Sequence, residues 1–228
     1  MSRGLRVAAL SATLFTSTAA LSSPILIAHE RFVRASCATG ADHQKPIQAE
    51  EIKDAPDDGA FEAAVSAQAN ASFASAFAWG FQTSAFSEDS LAARGRAGTS
   101  GIIDDDPTSS TTAGSISHCE FSFSLTAPAA FQLSGELTSV AGASAYVRLY
   151  REGELLIDAS NAGGTRHLRR GGELEPGDYT LRLRASAYCW HAGVSGCGTS
   201  SSFESELKLG MAIPAERATF ASIKSLFE

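Results

Sequence analysis

Ser195 stands four residues after His191 in H-A-G-V-S-G, a hydroxyl within reach of a base. A serine becomes a nucleophile when a histidine takes its proton and an acid orients that histidine. No spacing in the chain supplies the acid, and small exported loops often hold such residues. G-x-S-x-G, H-E-x-x-H, the P-loop and the dinucleotide fingerprint are all absent. Paired carboxylates for glycoside hydrolysis have no motif, because only their separation in space identifies them. Without a motif that carries a mechanism, the expectation is a non-catalytic protein with no cofactor.

Two sets of residues could hold metal. His118, Cys119, Cys189, His191 and Cys197 offer zinc-type ligands, but their spacing matches no zinc-finger pattern. His118 and Cys119 are adjacent, so on a strand they would point to opposite faces. Asp104, Asp105 and Asp106 offer hard oxygens for calcium, which needs six to eight. Three consecutive carboxylates fix no geometry. Disulfides and a solvated loop are the expected readings, and no metal is expected.

A binding face is the remaining chemistry. Arg148, Arg151, Arg166, Arg169, Arg170, Arg182 and Arg184 place half of the fourteen arginines within 37 residues. Such a stripe could bind acidic polysaccharide or another polyanion. Interleaved Glu152, Glu154, Glu175, Glu204 and Glu206 argue instead for cross-strand ion pairs on a solvent face. Tyr146, Arg148, Tyr150, Arg182, Arg184 and Trp190 make up the candidate ligand face. Trp190 and His191, with Tyr188 beside them, lie between two cysteines. There Trp190 could stack on sugars, although burial at one end of the fold is the larger gain and is expected.

The elements that position these residues are strands. In L-E-P-G-D-Y-T-L-R-L-R-A-S-A, from Leu174 to Ala187, Pro176-Gly177 supplies a type II turn signal. Tyr179, Leu181 and Leu183 then alternate with Thr180, Arg182 and Arg184, which gives one apolar and one charged face. The same alternation recurs at Cys119 to Leu125, Phe131 to Leu137, Ala145 to Leu149 and Phe203 to Leu209. Glu152-Gly153 marks a tight hairpin into Leu155 and Ile157. A short strand is expected near 165–169.

From Phe61 to Phe81 every odd position except Ser75 is apolar, so a strand is expected with a bend or turn near Asn70 to Ser72. Residues 87–114 read as a long loop, residues 23–60 as an irregular arm, and 211–228 as a short C-terminal helix or tail. Seven or eight short strands over 61–210 predict an all-β antiparallel β-sandwich or jelly roll.

Arg3 and Arg6, the modest apolar run 7–20 and the small residues after it predict a signal peptide over residues 1–22. Its removal leaves 16 Lys+Arg against 25 Asp+Glu, a net charge of −9. That acidity argues against a nucleic-acid partner. No second apolar run has membrane length, so the mature chain is expected to be secreted, extracellular or periplasmic, without a span. Four cysteines are even in number, as an oxidising compartment favours. Closing the short Cys189–Cys197 loop is the cheapest pairing and leaves Cys37 to join Cys119. Three connectivities are open.

The order F-S-F-S-L-T-A-P-A-A-F-Q-L-S-G-E-L, Y-V-R-L-Y, G-E-L-E-P-G-D-Y-T-L-R-L-R-A-S-A and S-F-E-S-E-L-K-L resembles uncharacterised bacterial secreted β-sandwich proteins, of the kind that often carry a PEP-CTERM sorting tail. The Pro-Glu-Pro tail itself is missing. The resemblance covers roughly 61–210 and implies architecture, with no catalytic residues to carry over. The expected function is that of a non-catalytic extracellular or cell-surface structural or interaction protein. A carbohydrate- or polyanion-binding module is the alternative, with cell-surface or extracellular polysaccharide as its partner. A secreted hydrolase comes third.

Overall fold

Alternating side chains build the whole of the computed structural model, which describes residues 23–40, 46–104, 107–140 and 142–210. Its strands are β1 (Ile25–Gly40), β2 (Ile47–Asp54), β3 (Phe61–Ala71), β4 (Ala74–Phe86), β5 (Ser90–Ile103), β6 (Ser110–Leu125), β7 (Ala129–Ser139), β8 (Ala143–Arg151), β9 (Glu154–Asn161), β10 (Gly164–Leu174), β11 (Gly177–Ala192) and β12 (Ser195–Leu209). They form two six-stranded antiparallel sheets. The first runs β2-β1-β6-β11-β8-β9 and the second β10-β7-β12-β5-β4-β3. The all-β sandwich expected from the sequence is present. The expected signal peptide over 1–22 and the expected C-terminal helix or tail over 211–228 lie outside the described residues. No helix among the described residues is long and apolar enough to cross a membrane.

The inner faces supply two apolar clusters. One holds the large side chains Phe121, Phe123, Leu133, Leu137, Leu149, Tyr179, Leu181, Leu183 and Phe203. Tyr179 stacks on Phe123 at 5.5 Å between ring centroids and donates its hydroxyl to Glu175 O at 2.7 Å. The other cluster is rich in alanine and lies between β1, β3 and β4, around Val33, Val65, Ala67 and Ala78. Between the clusters Arg31 is buried and donates to Gly59 O at 2.7 Å and to Asp57 O, which pins the β2–β3 loop.

Several sequence expectations change. The arm over 23–60 is β1 and β2, and β1 lies along β6, with Arg31 opposite Cys119 and Cys37 opposite Ala113. Its inward positions are Arg31, Val33, Ala35, Cys37 and Thr39, too mixed to read as an apolar stripe. The supposed loop 87–114 contains β5 and the start of β6. Those strands turn Ala93, Gly95, Ala97 and Thr99 inward, where small residues are required. A Cβ on Gly95 would sit 2.3 Å from Ser117 Oγ and 2.4 Å from Phe203 Cε1. Only short connections remain on either side of β5.

The turns are partly as expected. Glu152 (φ 50°) and Gly153 (φ 86°) both take positive φ, which matches a type I′ hairpin between β8 and β9. Gly177 has φ 148°, far more extended than the roughly +80° that a type II turn asks at its third position. The chain therefore bends at Pro176 instead of closing that turn. The short strand near 165–169 is the longer β10.

The cysteines are divided. Cys189 on β11 and Cys197 on β12 are bonded, with Cα atoms 5.9 Å apart, so the link joins the two sheets. Cys37 and Cys119 are free and buried, which corrects the expected second bridge. They lie six residues apart along the same β1–β6 ladder, roughly 20 Å at the rise of a strand. A disulfide needs Cα atoms within about 7 Å.

Candidate functional site

Strand β11 carries the candidate face. Its odd residues from Tyr179 to Cys189 are buried, while Arg182, Arg184, Ser186, Tyr188 and Trp190 point outward from the first sheet. Register sets their neighbours. Arg182 lies between Arg148 of β8 and Glu120 of β6, and Arg184 lies between Tyr146 and His118. Tyr188 faces Gly114, and Trp190 faces Thr112. All six predicted ligand-face residues, Tyr146, Arg148, Tyr150, Arg182, Arg184 and Trp190, therefore share one surface.

That surface has two halves. In the first, charges close on one another. Arg148 Nε donates to Asp158 Oδ1 at 3.1 Å, and its guanidinium stands 4.5 Å from the Tyr146 ring centroid. Arg182 Nε donates to Glu120 Oε2 at 2.5 Å, with its guanidinium 5.5 Å from the Tyr150 ring. These are the ion pairs the sequence suggested, made with Asp158 and Glu120 in place of the glutamates named there. Arg166, Arg169 and Arg170 belong to β10 in the other sheet, so the seven arginines form no single stripe.

The second half is open. Arg184 makes no hydrogen bond or ion pair with any described residue. Tyr188 is 57% exposed and Trp190 61%, which corrects the expectation that Trp190 plugs one end of the sandwich. A groove of about 440 Å³ runs beside Tyr188, which walls it together with Arg34, Ile116 and Arg184. Gly114 forms its floor between Ser36 and the Tyr188 ring. Arg34 leans on Glu50 at 2.5 Å, and both side chains remain about half exposed. Cys189, between the two aromatics in sequence, faces inward and is tied to β12, so the bond holds the strand that presents them.

His118, on β6, stands opposite Arg184, with its ring 5.1 Å from Phe32. Burial pushes its pKa below the ordinary imidazole value, opposed by Glu30 and Glu120 and assisted by Arg184 and Arg182. The neutral ring is the form this site favours.

The other sequence candidates disperse. Ser195 Oγ does contact His191 Nε2. No carboxylate among the described residues is joined to that histidine. Asp104 is exposed and donates its backbone N–H to Phe73 O at 2.8 Å, while Asp105 and Asp106 lie outside the described residues. Among the described residues no group of three His, Cys, Asp or Glu side chains is placed to hold a metal ion.

Sequence reasoning underrated Tyr188 and missed Arg34 and Gly114. Parity could have found the first, since Tyr188 and Trp190 continue the even-numbered outer row begun at Arg182. Arg34 and Gly114 lie in segments taken for an arm and a loop, so nothing brought them to this strand.

No family model matches the chain, and no curated protein matches it. Among solved structures, the GH31 alpha-xylosidase from Xanthomonas citri aligns over 82% of this chain and 38% of its own length, at 8% identity and a TM-score of 0.22. A likeness of that size carries no argument about fold or activity.

Proposed function

We propose that the chain is an exported, non-catalytic protein that binds a carboxylated extracellular polysaccharide on the open half of the β11 face. The observation that carries this reading is the exposed pair Tyr188 and Trp190 on a disulfide-held strand, beside the unpaired Arg184. Exposed tryptophan and tyrosine offer large apolar surface on stiff side chains, and each keeps a polar tip for hydrogen bonding. A sugar ring has an apolar face to lay on them and hydroxyls to meet Ser36 and Ser186 along the groove. Arg184 and Arg34 give a carboxylate a cationic partner, and guanidinium is the donor best shaped for one. The strand is held before the ligand arrives, which lowers the ordering cost of binding.

The test is affinity electrophoresis of the secreted chain through gels containing polygalacturonate, alginate or a neutral β-glucan. Retardation by the two acidic polymers is expected. Trp190→Ala and Tyr188→Ala should each weaken it by about tenfold, the scale of one aromatic contact. Arg184→Gln should weaken binding to the acidic polymers and reduce its dependence on salt. Migration unaffected by any of the three polymers would overturn the proposal.

A further inference from the structure

Strand β4 shows its aromatics to solvent. The sequence places Phe61, Val65, Phe73, Phe77 and Phe81 on one odd-numbered apolar face, yet the structure buries the odd residues only in β3. In β4 the buried row is Ala74, Ala76, Ala78, Gly80, Gln82 and Ser84. Phe77, Trp79 and Phe81 therefore line the outer face of the second sheet, on the opposite side of the molecule from Trp190. Phe77 is 38% exposed, and Trp79 and Phe81 are half-buried.

Trp79 is held flat. Its cross-strand partner on β5 is Gly98, and a Cβ placed there would lie 2.3 Å from the indole Cε2 and 2.4 Å from Nε1. Only glycine lets the ring rest on the sheet in this way. One face of the indole covers the backbone of β5, and the other is left toward solvent.

The rings make a row one strand wide, and exposed Ile102 on β5 continues the apolar surface beyond Ser100. With alternate residues about 6.6 Å apart, the three rings span about 13 Å. On the β3 side they are bordered by Ser66 and Gln68, and on the β5 side by Gly98, Ser100 and Arg96. Arg96 stands opposite Phe81 and makes no hydrogen bond or ion pair with any described residue. A protein interface buries about 800 Å² on each partner, and its core is depleted of charge. A single file of rings, flanked by hydroxyls, an amide and a free guanidinium with only Ala64 and Ile102 as apolar neighbours, has a different shape. It fits a linear chain of sugar rings whose apolar faces stack on the aromatics, whose hydroxyls meet the rim and whose carboxylate meets Arg96.

The geometry points to Phe77, Trp79 and Phe81, with Arg96, as a second binding row for a carboxylated polysaccharide, facing away from the β11 site. One molecule then holds two polymer chains, one on each sheet. This row stands independently of the β11 proposal, because it shares no residue with it.

The deciding experiment uses the secreted chain carrying Tyr188→Ala and Trp190→Ala, which removes the aromatics of the first face. Retardation by polygalacturonate should persist in that variant. Adding Phe77→Ala or Arg96→Gln, both solvent-side changes, should weaken the remaining retardation by about tenfold. Adding Gly98→Ala should do the same by lifting Trp79 off the sheet. Unchanged far-ultraviolet circular dichroism and melting temperature certify that each variant is folded. The inference is overturned if the Tyr188→Ala/Trp190→Ala variant is not retarded. It is also overturned if the remaining retardation survives both Phe77→Ala and Arg96→Gln. A failed β11 site gives a different signature, in which Tyr188→Ala/Trp190→Ala binds as tightly as the natural chain.

Discussion

At the scale of single residues, the two free thiols have become the sharpest check on the structure. Cys119 sits wholly inside the sandwich, and burial pushes its pKa up to about 12; burial raises Cys37 as well. A thiol reacts through its thiolate, so neither should react in the folded chain at pH 8. A colorimetric thiol count on the purified protein should give no thiols when native, two in denaturant and four after reduction. A bridge between Cys37 and Cys119 would give none in denaturant.

His118 yields a second prediction at this scale. Its folded pKa is depressed, so the unfolded chain binds the proton more readily and stability falls as protons are added. The His118 contribution is fully present above the ordinary histidine pKa of about 6.5 and is lost as pH falls through the lower folded value. The melting temperature should decline from pH 7 towards pH 5, and His118→Gln should flatten that decline. Scanning calorimetry across this range measures both.

At the scale of elements, the hairpin joining β3 to β4 explains what was legible and what was not. The sequence shows an odd-numbered stripe and a break near residues 70–72; the stripe is buried through β3 alone, and the chain turns at residues 72–73. A two-residue connection pairs Ala71 with Ala74 and Phe61 with Ser84, so facing positions are odd on one strand and even on the other. Period-two reading continued through such a turn must exchange inside for outside. The aromatics of β4 drew attention as core because they are large, while the true core row is alanine, glycine and polar residues. Strands β1 and β5 escaped for the same reason: their inward residues are small or polar, and only the large partners across the sandwich explain why. Strand β11 was plain because Tyr179, Leu181 and Leu183 pack into the cluster with the largest side chains.

The β8–β9 hairpin gives a prediction that isolates backbone conformation. No atom lies within 4 Å of where a Cβ on Gly153 would stand, so Gly153→Ala meets no clash. Its φ of 86° remains unfavourable for alanine. Urea denaturation should show a loss of about 1–2 kcal/mol, the left-handed penalty alone. A change near zero would mean that the turn relaxes to another type.

At the scale of the whole molecule, two opposed faces of one rigid sandwich define the proposed activity. Neither could be located by composition, because the net charge of −7 conceals two local cationic sites at Arg184 and Arg96. If both rows bind, mixing the protein with polygalacturonate should raise the viscosity of the solution. Variants lacking either row should bind polymer without thickening it, since joining chains takes two sites on one molecule. Rheometry at matched protein concentration distinguishes bridging from simple coating.

The order of strands in the first sheet also governs how the chain comes to be folded. Strand β6 lies between β1 and β11, with Cys119 facing Arg31 on one side and Leu183 on the other. The central ladder therefore waits for segments far apart in the chain, and β11 ends only at Ala192. Topologies dominated by such pairings fold on the order of milliseconds to seconds. A nascent chain that stops short of β11 can make local hairpins, yet it leaves β6 with an open edge. Ribosome-bound fragments should stay protease-sensitive until Leu209, the end of the strand that joins β7 to β5, has emerged. Late closure would keep the polypeptide open and threadable until its last two strands have been made.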